Sequence, residues 1–311
     1  MRLLGVILCF FWIILGVVVG DFWLHVATKC LIMTLFAMSF SLLYGQTGLL
    51  SFGQAAFFGV GAYGFALSLT RFGLPFVPCL IIGLISSVLW AWITGYICVR
   101  LSGIYFAIMT VVVTQMTFYI LFQWYGFTGG DDGIQGLLPP SFLGDPHAYY
   151  YYTLIIVASA YFAYHKILSS PFGLSLRCIR ENMVRIEFVG INVRRHRLGA
   201  FILAGFFAGL AGILYAPFTR TIAPQMANWH SSGNAVFMGI LGGPSYLLGP
   251  SVGAGVWVFL DAFVSGYTVY WPLIIGMIVF FIVFFMPGGL TGLVSTYLTS
   301  SREKPIIIRE V

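Results

Sequence analysis

Charge is what this chain has least of. Only 8% of its 311 residues are Asp, Glu, Lys or Arg, about a third of the share in an average soluble domain. Apolar residues fill 60% of the chain, which a soluble protein of this length has no interior to hide. The net charge of +6 is too thinly spread for a nucleic-acid surface. Cys9, Cys30, Cys79, Cys98 and Cys178 form no CxxC pair and no metal-ligand spacing, so packing is their expected role. The phosphate-binding pattern G-x-x-x-x-G-K-[ST] is absent, and no Gly-Lys dipeptide occurs at all. The chain therefore carries no ATP-binding loop of that kind.

What is present is apolar sequence in membrane-length blocks. At the ~20-residue length a bilayer requires, ten candidate spans fall at about 3–20, 24–44, 52–70, 76–99, 104–125, 149–167, 198–217, 232–248, 250–268 and 272–286. The third, eighth and tenth are short enough for half-spans or re-entrant segments. The first, with 17 apolar residues after Arg2, exceeds the ~7–15-residue core of a signal peptide and reads as an uncleaved span. With the amino terminus inside, twelve Lys and Arg fall on the cytoplasmic side: Arg2, Arg100, Lys166, six arginines of a central loop, Arg302, Lys304 and Arg309. Lys29, Arg71 and Arg220 are left outside. That asymmetry predicts both termini inside. The expected fold is all-α and polytopic: one membrane domain over 1–298, a charged loop at 169–197, and a cytoplasmic tail at 299–311.

The charged loop is the most distinctive segment, with six arginines and two glutamates between Arg177 and Arg197. Leu176, Ile179, Met183 and Ile186 recur at three- and four-residue steps, one face of a helix. The opposite face carries Arg177, Arg180, Glu181, Arg185 and Glu187, with Glu181 four residues before Arg185 in the favourable ion-pair order. Gly173 and Gly190 bracket this helix, Gly190 as its C-terminal cap. A surface helix with so regular an apolar stripe needs a cover. The expectation is docking to a soluble partner or to the lipid interface, against the plainer reading of a solvated loop obeying the positive-inside rule.

A second segment, Gly45 to Gly64, is rich in glycine. Ser51 and Gln54 have the spacing of a capping box, which predicts a helix start just after Ser51. Such a start inside a membrane suggests a broken helix whose free N–H groups meet a polar solute. Gln46, Ser51 and Gln54 are therefore candidate pathway residues, with Asn234 and Asp261 as further candidates, although the glycines are equally well explained as packing notches. Ala55, Gly59, Ala62 and Ala66 form one small-residue seam. Ala200, Ala204, Ala208, Gly212 and Ala216 form another, which a second subunit is a candidate to meet. Asp261 lies within an apolar span, where an acid costs roughly 2.5–3.5 kcal/mol. With no second intramembrane acid to make a proton relay, a structural hydrogen-bonded role is expected. Asp131 and Asp132 lie among glycines and read as a turn.

These residues carry a resemblance. Gly45-x-x-Gly48-Leu-Leu-Ser-Phe-Gly-Gln-Ala-Ala-Phe-Phe-Gly-Val-Gly-Ala-Tyr63 resembles the early signature of branched-chain amino-acid ABC transporter permeases of the LivM type. Arg100 to Ile108 and Thr128-Gly-Gly-x-x-Gly-Ile134 are similar to two further blocks. Ser170-Pro-Phe-Gly173 through Asn182, with Gly190 to Val193, resembles the family's cytoplasmic coupling loop. Leu241-Gly-Gly243, Gly249-Pro250 and Met286-Pro-x-Gly-Leu290 resemble its closing blocks. The resemblance implies a non-catalytic permease of the inner membrane with no cofactor of its own. Two ATP-binding subunits would hold ATP and magnesium, a second permease would complete the pathway, and a periplasmic binding protein would deliver solute. It also places Arg177, Arg180, Glu181, Arg185, Glu187 and Gly190 in the coupling region. One departure stands out. Asn234 occupies a position, eight residues before the Gly-Gly pair, where such permeases commonly carry glutamate, which opens urea, short amides or small organic acids as alternative cargo. A proton-coupled transporter resting on Asp261 and an intramembrane enzyme resting on Asp131 and Asp132 are the rivals from other classes.

Overall fold

The computed structural model describes Trp12, Gly16, residues 20–264, 266, 270–286 and 288–293. The first candidate span, apart from Trp12, Gly16 and Gly20, and the tail at 299–311 lie outside the described residues. The helices are α1 (Asp21–Thr47), α2 (Gln54–Thr70), α3 (Phe76–Cys98), α4 (Gly103–Gln123), α5 (Tyr125–Thr128), α6 (Pro146–Ser169), α7 (Pro171–Glu181), α8 (Met183–Phe188), α9 (Val193–Thr219), α10 (Trp229–Gly242), α11 (Gly249–Val264) and α12 (Trp271–Phe285). Strands β1 (Ile134–Gln135) and β2 (Thr221–Ile222) pair antiparallel, with Ile134 opposite Ile222. Among the described residues α1, α3, α4 and α9 are long and apolar enough to cross a membrane.

Two 27-residue helices, α1 and α9, form the centre. At ~1.5 Å per residue each runs about 40 Å, and α1 is buried almost all round, so it shows no amphipathic stripe. α2 and α3 pack on α9, while α10 and α11 pack on α1. Each long helix is thus followed or preceded by an extended stretch, a short helix and a further helix. Two ends of the bundle can be told apart. One, the elbow side, holds α7, α8 and the carboxyl end of α1, joined by side-chain bonds described below. The other holds the β1–β2 pair and the α4–α5 junction, where the Arg71 guanidinium donates to the Gly126 carbonyl at 2.9 Å.

α2 and α10 do not run the full height. Phe52, just before α2, donates its N–H to Thr110 Oγ1 at 3.0 Å and accepts from Thr114 Oγ1 at 2.8 Å. Thr110 lies seven residues into α4, ~10 Å from its elbow-side start. Six residues, 48–53, therefore climb without regular structure from the end of α1, and α2 begins only partway up. α10 is its counterpart: its second turn touches the start of α2 and its carboxyl end returns to the elbow side. With 17 and 14 residues, both fall short of the ~30 Å hydrocarbon thickness. The third and eighth candidates are thus short helices of 17 and 14 residues.

Glycine makes the crossings close. A Cβ on Gly61 would stand 2.7 Å from the Gly209 carbonyl oxygen, and one on Gly212 would stand 2.0 Å from the Phe58 carbonyl oxygen. The two small-residue seams meet each other inside one chain. The expectation that the α9 seam faces a second subunit is corrected: Ala200, Ala204, Ala208 and Ala216 are fully buried against this chain's own helices. Gly212→Ala should lower the thermal midpoint in detergent, by overpacking of about 1–3 kcal/mol, because backbone on both sides blocks relief. An unchanged melt would show the crossing to be slack. The outward face of α3, with Val77, Ile81, Ile85, Leu89, Trp92 and Tyr96 exposed, is a continuous apolar strip of the kind that lipid or another membrane subunit covers.

Candidate functional site

The central charged loop folds as an elbow. Ser170 caps α7 by accepting the Gly173 N–H at 3.3 Å, and Pro171 occupies the first turn, where its missing donor costs nothing. Gly173 therefore lies inside the helix rather than before it. A Cβ there would lie 2.5 Å from the Ile167 carbonyl oxygen. The single helix expected from Gly173 to Gly190 is broken. Asn182 adopts extended backbone (φ −156°, ψ 101°) and starts α8 by accepting the Arg185 N–H at 3.0 Å. The break removes the i, i+4 geometry that Glu181 and Arg185 needed, and no ion pair joins them. Gly190 does close the elbow, at φ 88°, with the Ile191 N–H returning to the Ile186 carbonyl at 3.3 Å.

The apolar stripe also has a different cover from the one expected. Leu176 and Ile179 are buried against this chain itself, where α7 packs on α1, α6 and α9. Two arginines of the supposed docking face point the same way. Arg177 donates from Nε to Gln46 Oε1 at 2.9 Å and from Nη2 to the Leu168 carbonyl at 3.2 Å. Arg180 donates from Nη1 to the Gly45 carbonyl at 2.5 Å and to Ser245 Oγ at 2.9 Å. Gly45 is in the last turn of α1, whose final carbonyls have no intrahelical partner. A guanidinium there satisfies one of them and sits at the negative end of the helix dipole. Gly45 itself is required by closeness, since a Cβ would fall 1.9 Å from the Pro244 carbonyl oxygen. What remains outward is Glu181, Arg185 and Glu187, with Val184, Phe188 and Val189. Phe188 is 87% and Val189 74% exposed. Periodicity missed these last two because they follow the stripe rather than join it.

From the elbow, the chain leads through Gly48, left-handed at φ 71°, to the start of α2. The capping-box reading of Ser51 and Gln54 is corrected here. The helix begins at Gln54 with Gly53 at its cap position and no side-chain cap. Ser51 Oγ instead accepts the Gly53 N–H at 3.1 Å, a local serine turn. Three of the N–H groups here are also not free to meet a solute. Phe52 donates to Thr110, Gly53 to Ser51, and Ala55 to Ser232 Oγ of α10 at 2.9 Å. The positive ends of α2 and α10 are thereby tied together partway up the bundle. The group left over is the Gln54 side chain. It is fully buried, and neither its Oε1 nor its Nε2 has a hydrogen-bond partner among the described residues. Asn234, half-buried on α10, lies two residues beyond Ser232.

Asp261 has a partner that sequence reading placed elsewhere. Lys29, assigned to an outer turn, is in the third turn of α1, and its Nζ lies 2.8 Å from Asp261 Oδ2 on α11. Asp131 and Asp132 form a 3₁₀ turn, as expected. The turn is fixed by Gln225 Nε2 donating to Asp131 at 2.8 Å and Tyr125 donating to Asp132 at 2.5 Å. That bond, with the carboxylate charge behind it, raises the Tyr125 phenol above its ordinary pKa. No cluster of three metal-ligating side chains occurs among the described residues. Cys30, Cys79 and Cys98 are buried in the core and Cys178 is half-buried.

An elbow anchored to one long central helix, which leads to paired half-height helices, is an arrangement suited to moving a pathway from outside the bundle. The family model for the branched-chain amino acid transport system / permease component matches residues 22–286. The chain belongs to that family. It is 25% identical over 292 residues to the high-affinity branched-chain amino acid transport system permease protein LivM of Escherichia coli (strain K12), covering 85% of this chain and 69% of the relative. A probable branched-chain amino acid transport permease protein LivH of Methanocaldococcus jannaschii is 27% identical over 154 residues, 45% of this chain and 47% of its own. The guanosine ABC transporter permease protein NupQ of Bacillus subtilis is 33% identical over 84 residues, 27% of this chain and 25% of its own. No solved structure matches the chain at a significant level. This family member is a membrane-embedded permease, and permeases of its kind are not themselves the catalysts of ABC transport.

Proposed function

We propose that this permease is one membrane half of an ATP-driven importer of branched-chain, hydrophobic amino acids in the inner membrane. It pairs with a second permease, stands on two cytosolic ATPases, and takes its cargo from a binding protein outside. The single observation that supports coupling is the elbow geometry: Arg177 and Arg180 fasten α7 to the end of α1, while the stretch from Glu181 through α8 to Val189 presents Glu181, Arg185, Glu187, Phe188 and Val189 outward. In this reading the outward set meets an ATPase, and the anchored set passes its movement to α1. Ten spans with both ends in the cytoplasm fit this arrangement, since the elbow then faces the ATPases.

The branched-chain cargo is supported by the family match and by relatives bearing that name. A guanosine permease among the relatives, and Asn234 where glutamate is common, favour a second reading in which the same machine carries another small polar solute. The deciding experiment is uptake by proteoliposomes containing the full assembly, with labelled leucine, isoleucine, valine, guanosine and urea. ATP-dependent accumulation of the branched-chain set is expected, and guanosine or urea in their place would replace the cargo. Uptake that ran without ATP would overturn the importer.

A less drastic test addresses the outward face. Phe188→Ser with Val189→Ser should lower uptake on the order of tenfold through loss of docking, since apolar anchors in a contact contribute about 1–2 kcal/mol or more each. The permease should remain as stable as before, because those side chains stand 87% and 74% exposed and are covered by none of the described residues. Unchanged uptake would move the contact elsewhere.

A further inference from the structure

We infer that the half-open ion pair of Lys29 and Asp261 is a reception site for the charged end of a zwitterionic, apolar amino acid. This deepens the proposed amino-acid cargo and rests on it. Lys29 is eight residues into α1, ~12 Å from the end opposite the elbow, so the pair stands well inside the bundle's height. A pair that served only to fasten α1 to α11 would be expected to close on itself. This one does not: the Lys29 side chain is 34% and the Asp261 side chain 23% exposed. Each charge facing hydrocarbon would cost roughly 2.5–3.5 kcal/mol, so the uncovered side faces water or another subunit.

The unspent bonding capacity matches the ligand. An ammonium has three donors and a carboxylate about four acceptor sites. Among the described residues Lys29 gives one donor, to Oδ2, and Asp261 Oδ1 accepts none. An α-carboxylate placed beside Lys29 and an α-ammonium beside Asp261 complete a ring of four alternating charges without breaking the existing bond. Beside the pair runs an aromatic wall. His25 stacks on Phe218 at 4.2 Å, Phe218 lies 6.1 Å from Tyr215, Tyr215 5.4 Å from Phe58, and Phe58 5.0 Å from Phe36. His25 stands four residues, one helical turn, before Lys29 on α1, which sets the first ring of the wall beside the pair. Phe58 is one turn above Gln54 on α2, so the wall leads from the ion pair toward the joined helix starts. Charge at one end and aromatic surface beside it suit a small solute with a zwitterionic head and an aliphatic side chain.

The test uses the complete assembly in proteoliposomes and labelled L-leucine. Lys29→Gln combined with Asp261→Asn leaves no buried unpaired charge. It should raise the KM for leucine on the order of tenfold, the loss of one charge-assisted contact, while kcat changes far less. The exchanged pair, Lys29→Asp with Asp261→Lys, keeps the link between α1 and α11 but reverses the head-group sites relative to the wall. It should also fail to restore the wild-type KM. Wild-type uptake by the exchanged pair would reduce the ion pair to a strut and overturn the inference, and so would an unchanged KM in the neutral pair. Should the neutral pair fail to assemble, the exchanged pair decides alone. A wild-type assembly that moves no branched-chain amino acid would remove the cargo reading and this site together, whereas leucine uptake insensitive to both variants removes the site only.

Discussion

Arg180→Ala is expected to cut ATP-driven uptake by more than tenfold while the ATPases go on hydrolysing. The side chain makes two bonds between separate parts of the chain, to the last turn of α1 at Gly45 and to Ser245 in the connection after α10. Bonds with one charged partner contribute about 1.5–3 kcal/mol each, and both are lost together. The elbow then still docks through its outward residues but no longer pulls α1. Arg177→Ala should act in the same sense through Gln46. Arg180→Lys should fall between, since one ammonium has no rigid fork to span the same two acceptors. Arg194→Ala is the control: it is exposed, belongs to neither the anchor nor the outward set, and removing its side chain leaves both in place. The measurement is the ratio of solute moved to ATP consumed. A wild-type ratio for Arg180→Ala would mean that coupling does not pass through the anchor.

The second large effect concerns Gln54. Replacing it with leucine should make the protein more stable and the transporter worse. Two buried amide atoms without partners cost about 1–3 kcal/mol each, and leucine fills a similar volume without them. A residue that weakens the fold where it stands is best explained by use in another state, in which a solute or a shifted helix provides the partners. The thermal midpoint in detergent should therefore rise by several degrees, and uptake should fall on the order of tenfold. A lower midpoint, or uptake equal to wild type, would sink this account. Gln54→Asn separates the two effects: it keeps the amide but withdraws it by one methylene.

Lengths and positions of the helices were legible from the chain alone because lipid-length apolar blocks have few alternatives. The predicted 24–44 became Asp21–Thr47, and 198–217 became Val193–Thr219. Less legible was direction: which side chains face their own protein. Leu176 and Ile179 follow helical spacing whether a partner or α1 covers them, so periodicity located the face and left its cover open. Arg177 and Arg180 looked like surface charge for the same reason, since their acceptors on α1 lie more than 130 residues away. Asn182 ended a helix that spacing alone would have continued, because a capping side chain competes locally with the helix.

Composition and motif order were thus enough to fix a membrane-embedded, mostly helical permease of this family with no ATP-binding loop of the Walker type. Those properties are additive along the chain and survive without knowing any contact. Tertiary structure alone decided that the elbow is bolted to α1, that Lys29 answers Asp261 across 232 residues, and that two half-height helices meet end to end through Ser232 and Ala55. Each depends on groups distant in sequence being brought within ~3 Å, and such a meeting leaves no local trace in either partner.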